Sequence, residues 1–236
     1  MTTQIKKENE VNFLLKNTWN DFIENLKAFL SKKLNMFSFS LVIILIFIAI
    51  FSPFLSPHQF DQVNPSNALA PPSLEHLMGT DTTGRDIFSR VLHGTTTSLS
   101  LALSTIIFGL FIGVSLGAVS GYFVGIIDEI IMRIVDVFMS IPGVILALAM
   151  VAILGPNPIY LVLALSIRRI IQFARVTRGV VLSIKELDYI SACHAIGMGH
   201  LRIIFMHVLP NCIGPIIVLS TVLIGNVILM ESTLSF

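Results

Sequence analysis

Residues 91–127 read VLHGTTTSLSLALSTIIFGLFIGVSLGAVSGYFVGII, 37 positions without a Lys, Arg, Asp or Glu. A helix needs only about 20 apolar residues to cross the roughly 30 Å of hydrocarbon in a bilayer. Working outward, three more charge-free stretches occupy 34–60, 137–167 and 203–230. Charged residues make up 12% of the 236-residue chain and hydrophobic ones 54%, with a mean hydropathy of +0.86. A soluble domain carries roughly 25% charged residues, and a disordered chain has low hydrophobicity. Both classes are excluded, leaving an integral membrane protein. In lipid every backbone polar group must be paired internally, so the spans are helical. The fold class is an all-α polytopic membrane helical bundle.

Gly155-Pro156-Asn157-Pro158 interrupts the third stretch and predicts a tight turn. Five spans follow, at about 36–56, 97–122, 131–154, 158–177 and 207–230. Arg168 and Arg169 directly follow the short apolar run of the fourth. Lys and Arg favour the cytoplasmic side. Six lysines precede the first span, whereas the segment between spans one and two holds only Arg85 and Arg90. A cytoplasmic N-terminus leaves eleven basic residues inside and two outside, with Arg168 and Arg169 unassigned. This divides the chain into a cytoplasmic tail (1–35), a first anchor (36–56), an external segment (57–96) and a bundle (97–236) with a cytoplasmic segment at 178–206. The first apolar run lies behind a long polar segment, so it is an uncleaved anchor. Apolar positions through 11–33 at helical spacing fit either an interfacial helix or a partly helical polar tail.

No phosphate-binding Gly-rich loop, His-Glu-x-x-His or Gly-x-Ser-x-Gly is present. Cys193 and Cys212 lie in places that do not favour a disulfide. The six histidines are scattered, and solvated or interfacial roles are expected of them. No catalytic residue, metal ligand or cofactor is assigned.

Four constellations stand out. Gly109, Gly113, Gly117 and Gly121 recur every four residues, forming a groove for close backbone approach. It serves either a subunit or pathway interface or packing within one bundle. Asp136 follows Arg133 at i+3, a spacing that allows pairing on one face, and Pro142 then predicts a kink. In the external string from Gly79 to Arg90, Asp81 or Thr82 is placed to cap a helix. Asp86 and Arg90 there have i, i+4 spacing. Last, Asp188–Arg202 contains a short helix of small residues, Ser191, Ala192, Cys193 and Ala195, stopped by Gly197. Tyr189, Ile190 and Ile196 would be its apolar anchors in a cleft of a soluble partner; a plain connector is the alternative.

At these residues the chain resembles the permease subunits of ABC importers, most closely the dipeptide/oligopeptide/nickel group of binding-protein-dependent transport systems. The cytoplasmic motif of that family is matched by Ala192, Gly197, Leu209 and Pro210. The external Gly-Thr-Asp-x-x-Gly-Arg-Asp-x-x-Ser-Arg string is matched by Gly79, Thr80, Asp81, Gly84, Arg85, Asp86, Ser89 and Arg90. Gly121-Tyr122-Phe123, Phe173-Ala174-Arg175 and Arg178-Gly179 agree too. Ser191 stands where the family has Glu, Cys193 where it has a second Ala, and Arg168-Arg169 where it is usually apolar or aromatic.

The resemblance implies the type I importer permease (MetI-like) fold and a non-enzymatic subunit in a bacterial inner membrane. This subunit would form half of a translocation pathway, to which Asp136, Pro142, Arg168 and Arg169 are candidate contributors. Its partners would be a second permease, two ABC ATPase subunits docked on 189–197, an external substrate-binding protein and membrane lipid, without nucleic acid. Di- or oligopeptides are the expected cargo, with nickel or a chelated metal as the alternative. A channel or membrane-embedded enzyme is the rival of another class. The family continues beyond Leu234-Ser235-Phe236 into a sixth span, so a C-terminally truncated, weakly transporting chain is expected.

Overall fold

The structure is a computed structural model. It describes Phe29, residues 31–155 and residues 157–234. The interfacial helix expected over 11–33 therefore falls almost wholly outside the described residues. The chain divides into two compact units, Met1–Thr96 and Thr97–Phe236.

In the first unit, helix α1 (Lys33–Leu55) buries only Ala49 and Ser52. Its other large side chains, such as Phe37, Ile44 and Phe51, are exposed on all sides. A helix apolar all round belongs in lipid or against other helices. Between α1 and the next helix the chain folds without long elements, apart from one 3-10 turn, Pro65–Asn67. Backbone bonds from Leu69 N–H to Asp81 O (3.0 Å) and from Thr80 N–H to Ala70 O (3.1 Å) close it. Gly84 has φ +74°, and a Cβ on it would lie 1.7 Å from Asn64 O, so no other residue fits there.

Helix α2 (Ile87–Phe123) begins in this unit and continues into the second. Then follow α3 (Ile126–Met139), α4 (Gly143–Leu154), α5 (Pro158–Lys185) and the short α6 (Asp188–Ala195). Helix α7 (His200–Ile203) runs through a π turn, Ile204–Val208, into α8 (Leu209–Leu234). Pro210 has no N–H to donate one turn back, and the wide π turn directly before it absorbs that loss.

The core of the second unit is built on α5. Its Phe173, Ala174, Thr177 and Val181 are wholly buried. Asn157 caps α5, its side chain accepting from Ile159 N–H at 2.9 Å, with Pro158 at the first helical position. α2 and α5 run parallel: Gly109 meets Arg169, and Gly121 meets Val181.

Among the described residues three helices, α1, α2 and the continuous His200–Thr233, are long and apolar enough to cross a membrane. The α3–α4 pair makes a fourth candidate, bent by 82°. The span expected at 131–154 is thus a broken pair, parted at Ser140-Ile141-Pro142, and not one kinked helix. α5, the expected fourth span, carries too many basic residues to qualify by apolarity. It nonetheless lies along the apolar α2, facing it from Gly109 to Gly121.

Candidate functional site

The glycine stripe packs inside the chain. A Cβ at Gly113 would lie 2.5 Å from Ile170 O and 2.6 Å from Phe173 Cβ. At Gly117 it would lie 2.4 Å from Ala174 O, and at Gly109 2.5 Å from Arg169 Cβ. Real Cβ atoms do not approach this closely, so the four glycines let two backbones touch along three turns. Gly143 does the same for a side chain, since its Cβ would sit 2.7 Å from Arg168 Cδ.

Arg169 is 2% exposed. Its guanidinium donates to Gln172 Oε1 at 2.7 Å and lies 3.3 Å from Met230 Sδ. Among the described residues it forms no ion pair with a carboxylate, which is unusual for a charge at this depth.

At the end of α2 a polar cluster joins five helices. Arg178 of α5 grips Asp128 of α3 with both Nε and Nη2, each at 2.6 Å, and Ser120 of α2 donates to the same carboxylate. Such a bidentate pair is strong and directional. Lys185 Nζ donates to Tyr122 O at 2.9 Å. The Tyr122 hydroxyl lies 3.0 Å from His200 Nδ1 and 3.3 Å from His194 Nε2. Arg175 bonds Asp136, and Arg133 lies 3.6 Å from Glu129. The Arg133–Asp136 pairing expected from spacing is not formed, because Arg175 of the facing helix takes the carboxylate.

Tyr122 thereby ties α2 to α6, which carries the candidate coupling residues. α6 ends in a Schellman closure: Gly197 N–H bonds His194 O at 2.9 Å and Met198 N–H bonds Cys193 O at 3.0 Å, with Gly197 at φ +77°. Ile190 is 1% and Cys193 8% exposed, both in the core of the chain itself. Ile190 is therefore no anchor for a partner, contrary to the expectation from sequence. Tyr189, Ser191, Ala192, Ala195 and Ile196 form the exposed face, Ile196 at 75%.

In the first unit, Asp81 organises the glycine-flanked turn. It accepts from Thr83 N–H (2.8 Å), Thr83 Oγ1 (2.7 Å), Arg85 N–H (3.0 Å) and Arg85 Nε (2.9 Å), and also from Arg90. Burial acts to raise its pKa, but the bonds from Thr83 and Arg85 outweigh it and hold the carboxyl far below the usual carboxylate range. The helix cap is Asp86, which accepts from Ser89 N–H at 2.8 Å. Neither Asp81 nor Thr82 caps the helix, and Arg90 pairs with Asp81 instead of Asp86. Thr80 bridges Asp86 through the backbone, and Gly79 at φ +73° completes the turn. His76 Nδ1 lies 2.9 Å from Asp86 Oδ1, and His76 is 8% exposed, neither solvated nor interfacial.

Sequence reasoning missed Asp128, Ser120 and the hub role of Tyr122. The one signal for Asp128 was an acid in the first turn of a helix, beside Glu129.

Apolar crossing helices, a buried polar joint and a short exposed helix define a polytopic membrane transport subunit, not an enzyme. The chain belongs to the family of binding-protein-dependent transport system inner membrane components, which residues 109–236 match. Residues 17–72 match the N-terminal transmembrane domain of oligopeptide transport permease C. The dipeptide transport system permease protein DppC of Alkalihalophilus pseudofirmus is 39% identical over 218 residues, covering 92% of this chain and 71% of that protein. The glutathione transport system permease protein GsiD of Pectobacterium atrosepticum is 39% identical over 83% of this chain and 65% of its own length. The oligopeptide transport system permease protein OppC of Bacillus subtilis is 35% identical over 88% of this chain and 68% of its own.

Proposed function

We propose that the chain is one of two permease subunits of an ATP-driven importer for di- or oligopeptides in a bacterial inner membrane. Three relatives, a dipeptide, a glutathione and an oligopeptide transport permease, support this choice of cargo. In this reading the N-terminus and α6 are cytoplasmic, as the Lys and Arg distribution argues. Residues 56–86 then face outward, toward a binding protein. α6 offers Tyr189, Ala192 and Ile196 to an ATPase subunit, and Tyr122, held by His194 and His200, passes movement of α6 to α2. The glycine seam between α2 and α5 transmits it onward to the pathway.

Reconstitution with the companion permease, both ATPases and the binding protein in liposomes tests this. ATP-dependent uptake of a radiolabelled dipeptide is expected. Uptake of Ni²⁺ in place of peptide would favour the nickel alternative, and ATP-independent ion current would favour a channel.

A further inference from the structure

Helix α1 is followed by Ser56-Pro57-His58, and His58 N–H donates to Ser89 Oγ at 3.2 Å. This places the His58 ring beside that of His76, centroids 4.7 Å apart. One ligand-type atom each from His58, His76 and Asp86 lies within 4.8 Å of the others. His76 and Asp86 are buried, and His58 is half-buried.

The protonation pattern is set by the carboxylate. His76 Nδ1 meets Asp86 Oδ1 at 2.9 Å, so in the neutral ring that nitrogen carries the proton and Nε2 keeps its lone pair. A carboxylate behind an imidazole whose other nitrogen is free is the arrangement that orients metal-binding histidines. His76 Nε2 is buried and has no hydrogen-bond partner among the described residues, and the same holds for His58 Nδ1. Two neighbouring buried ring nitrogens without partners are costly unless something joins them. Beside them lies a cavity of about 160 Å³ walled by Gln59, Gln62, Asn64 and Glu75, polar enough to supply water to an open coordination position.

We propose that His58 Nδ1 and His76 Nε2, the latter ring oriented by Asp86, bind one divalent transition cation of the zinc type, with water in its remaining positions. Paired imidazole nitrogens suit such a cation better than Ca²⁺ or Mg²⁺, which prefer all-oxygen shells. Bonds of about 2.0–2.1 Å put two ligands of a tetrahedral zinc roughly 3.4 Å apart, so a pair near the 4.8 Å limit must draw together. His58 supplies that movement, because it sits in a bent connection beside exposed Pro57 and Gln59. The cation would pin the end of α1 to the turn that starts α2. This site is separate from the proposed cargo pathway, and it holds or fails whatever the cargo.

The test is Zn²⁺ titration of the full chain, purified in detergent after chelator treatment, followed by dialysis and by X-ray absorption. One zinc per chain with two imidazoles in its shell is expected. His58→Ala should abolish saturable binding, and Asp86→Asn should weaken it about 10–100-fold. Co²⁺ in the wild type should show the visible bands of a tetrahedral site, and these should vanish in His58→Ala. His58 is only half-buried and its hydrogen bond to Ser89 comes from its backbone N–H, which alanine keeps, so that variant stays informative if His76→Gln misfolds. No saturable binding by the helical wild-type chain, a shell without two imidazoles, or unchanged binding in His58→Ala would each overturn the proposal.

Discussion

Gly113 and Phe173 stand so close that a methyl on the glycine would lie 2.6 Å from the Cβ of the phenylalanine. The nearest atoms at Gly113 and Gly117 are backbone, which has no rotamer to yield. Gly113→Ala and Gly117→Ala should each destabilise the bundle by about 1–3 kcal/mol. Gly225, with nothing within 4 Å of its Cβ position, should accept Ala and gain up to about 1 kcal/mol of helix propensity. Thermal unfolding of purified variants in detergent distinguishes the two groups.

Breaking the Arg178–Asp128 grip should be more harmful than removing it. Arg178→Leu leaves Asp128, whose side chain is 11% exposed, with only Ser120 as donor, and should cost about 3 kcal/mol. Asp128→Asn with Arg178→Leu should recover part of that loss. Equal losses in the single and double variants would show that the pair contributes nothing beyond its packing.

The exposed face of α6 separates folding from coupling. Ile196→Glu should leave stability within about 0.5 kcal/mol and depress the stimulation of ATP hydrolysis by binding protein in lipid nanodiscs. Gly197→Val forces a β-branched residue to φ +77° and should lose about 1–2 kcal/mol as well. Full stimulation in Ile196→Glu would remove α6 as the docking face.

Acid should open residues 56–86 late. Asp81 and Asp86 both have lowered pKa values, Asp86 because bonds from Ser89 and His76 outweigh the opposing effect of its burial. A depressed carboxyl stabilises the fold above its unfolded pKa of 3.8 and loses that contribution as pH falls through the folded value. Hydrogen exchange in this segment should be flat from about pH 6 to about pH 4 after correction for intrinsic rates, and should rise below about pH 3. Asp86→Asn, measured with chelator present, should flatten that rise.

Topology is accessible to labelling in intact cells. With Cys193 and Cys212 replaced, a cysteine at the fully exposed Leu74 should react with an impermeant maleimide. One at Ser191 should react only after permeabilisation. The opposite pattern would invert the chain.

Apolar length and the glycine period were legible in the sequence, because each depends on neighbours within a few turns; Pro142 marked the right place, but as a kink and not as the break that parts α3 from α4. α6 was legible as a short helix, since Gly197 stops it locally. What lay hidden depends on which helices meet. Arg178 and Asp128 are fifty positions apart, and nothing in either neighbourhood announces the other. Arg133 seemed the natural partner of Asp136 until α5 brought Arg175 closer. Ile190 seemed free to anchor a partner, yet burial of so short a helix is decided by what lies beneath it. His58 and His76 were unremarkable as scattered histidines, and only the fold of the segment between two helices brings them to one carboxylate.

The seam between α2 and α5 repeats itself. Its four notches recur every four residues, about 6 Å along the helix, and each receives a backbone turn of α5. Displacing one helix by half that interval drives Phe173 toward Val114 and Leu116, whose side chains flank the stripe and stand in the way. A full interval returns a notch to each bulge. Travel along this rail is therefore stepwise, with resting positions one helical turn apart, as in the one-turn ratchets of other helical interfaces. A cleft lined by these helices would open and shut by a fixed increment, not by degrees.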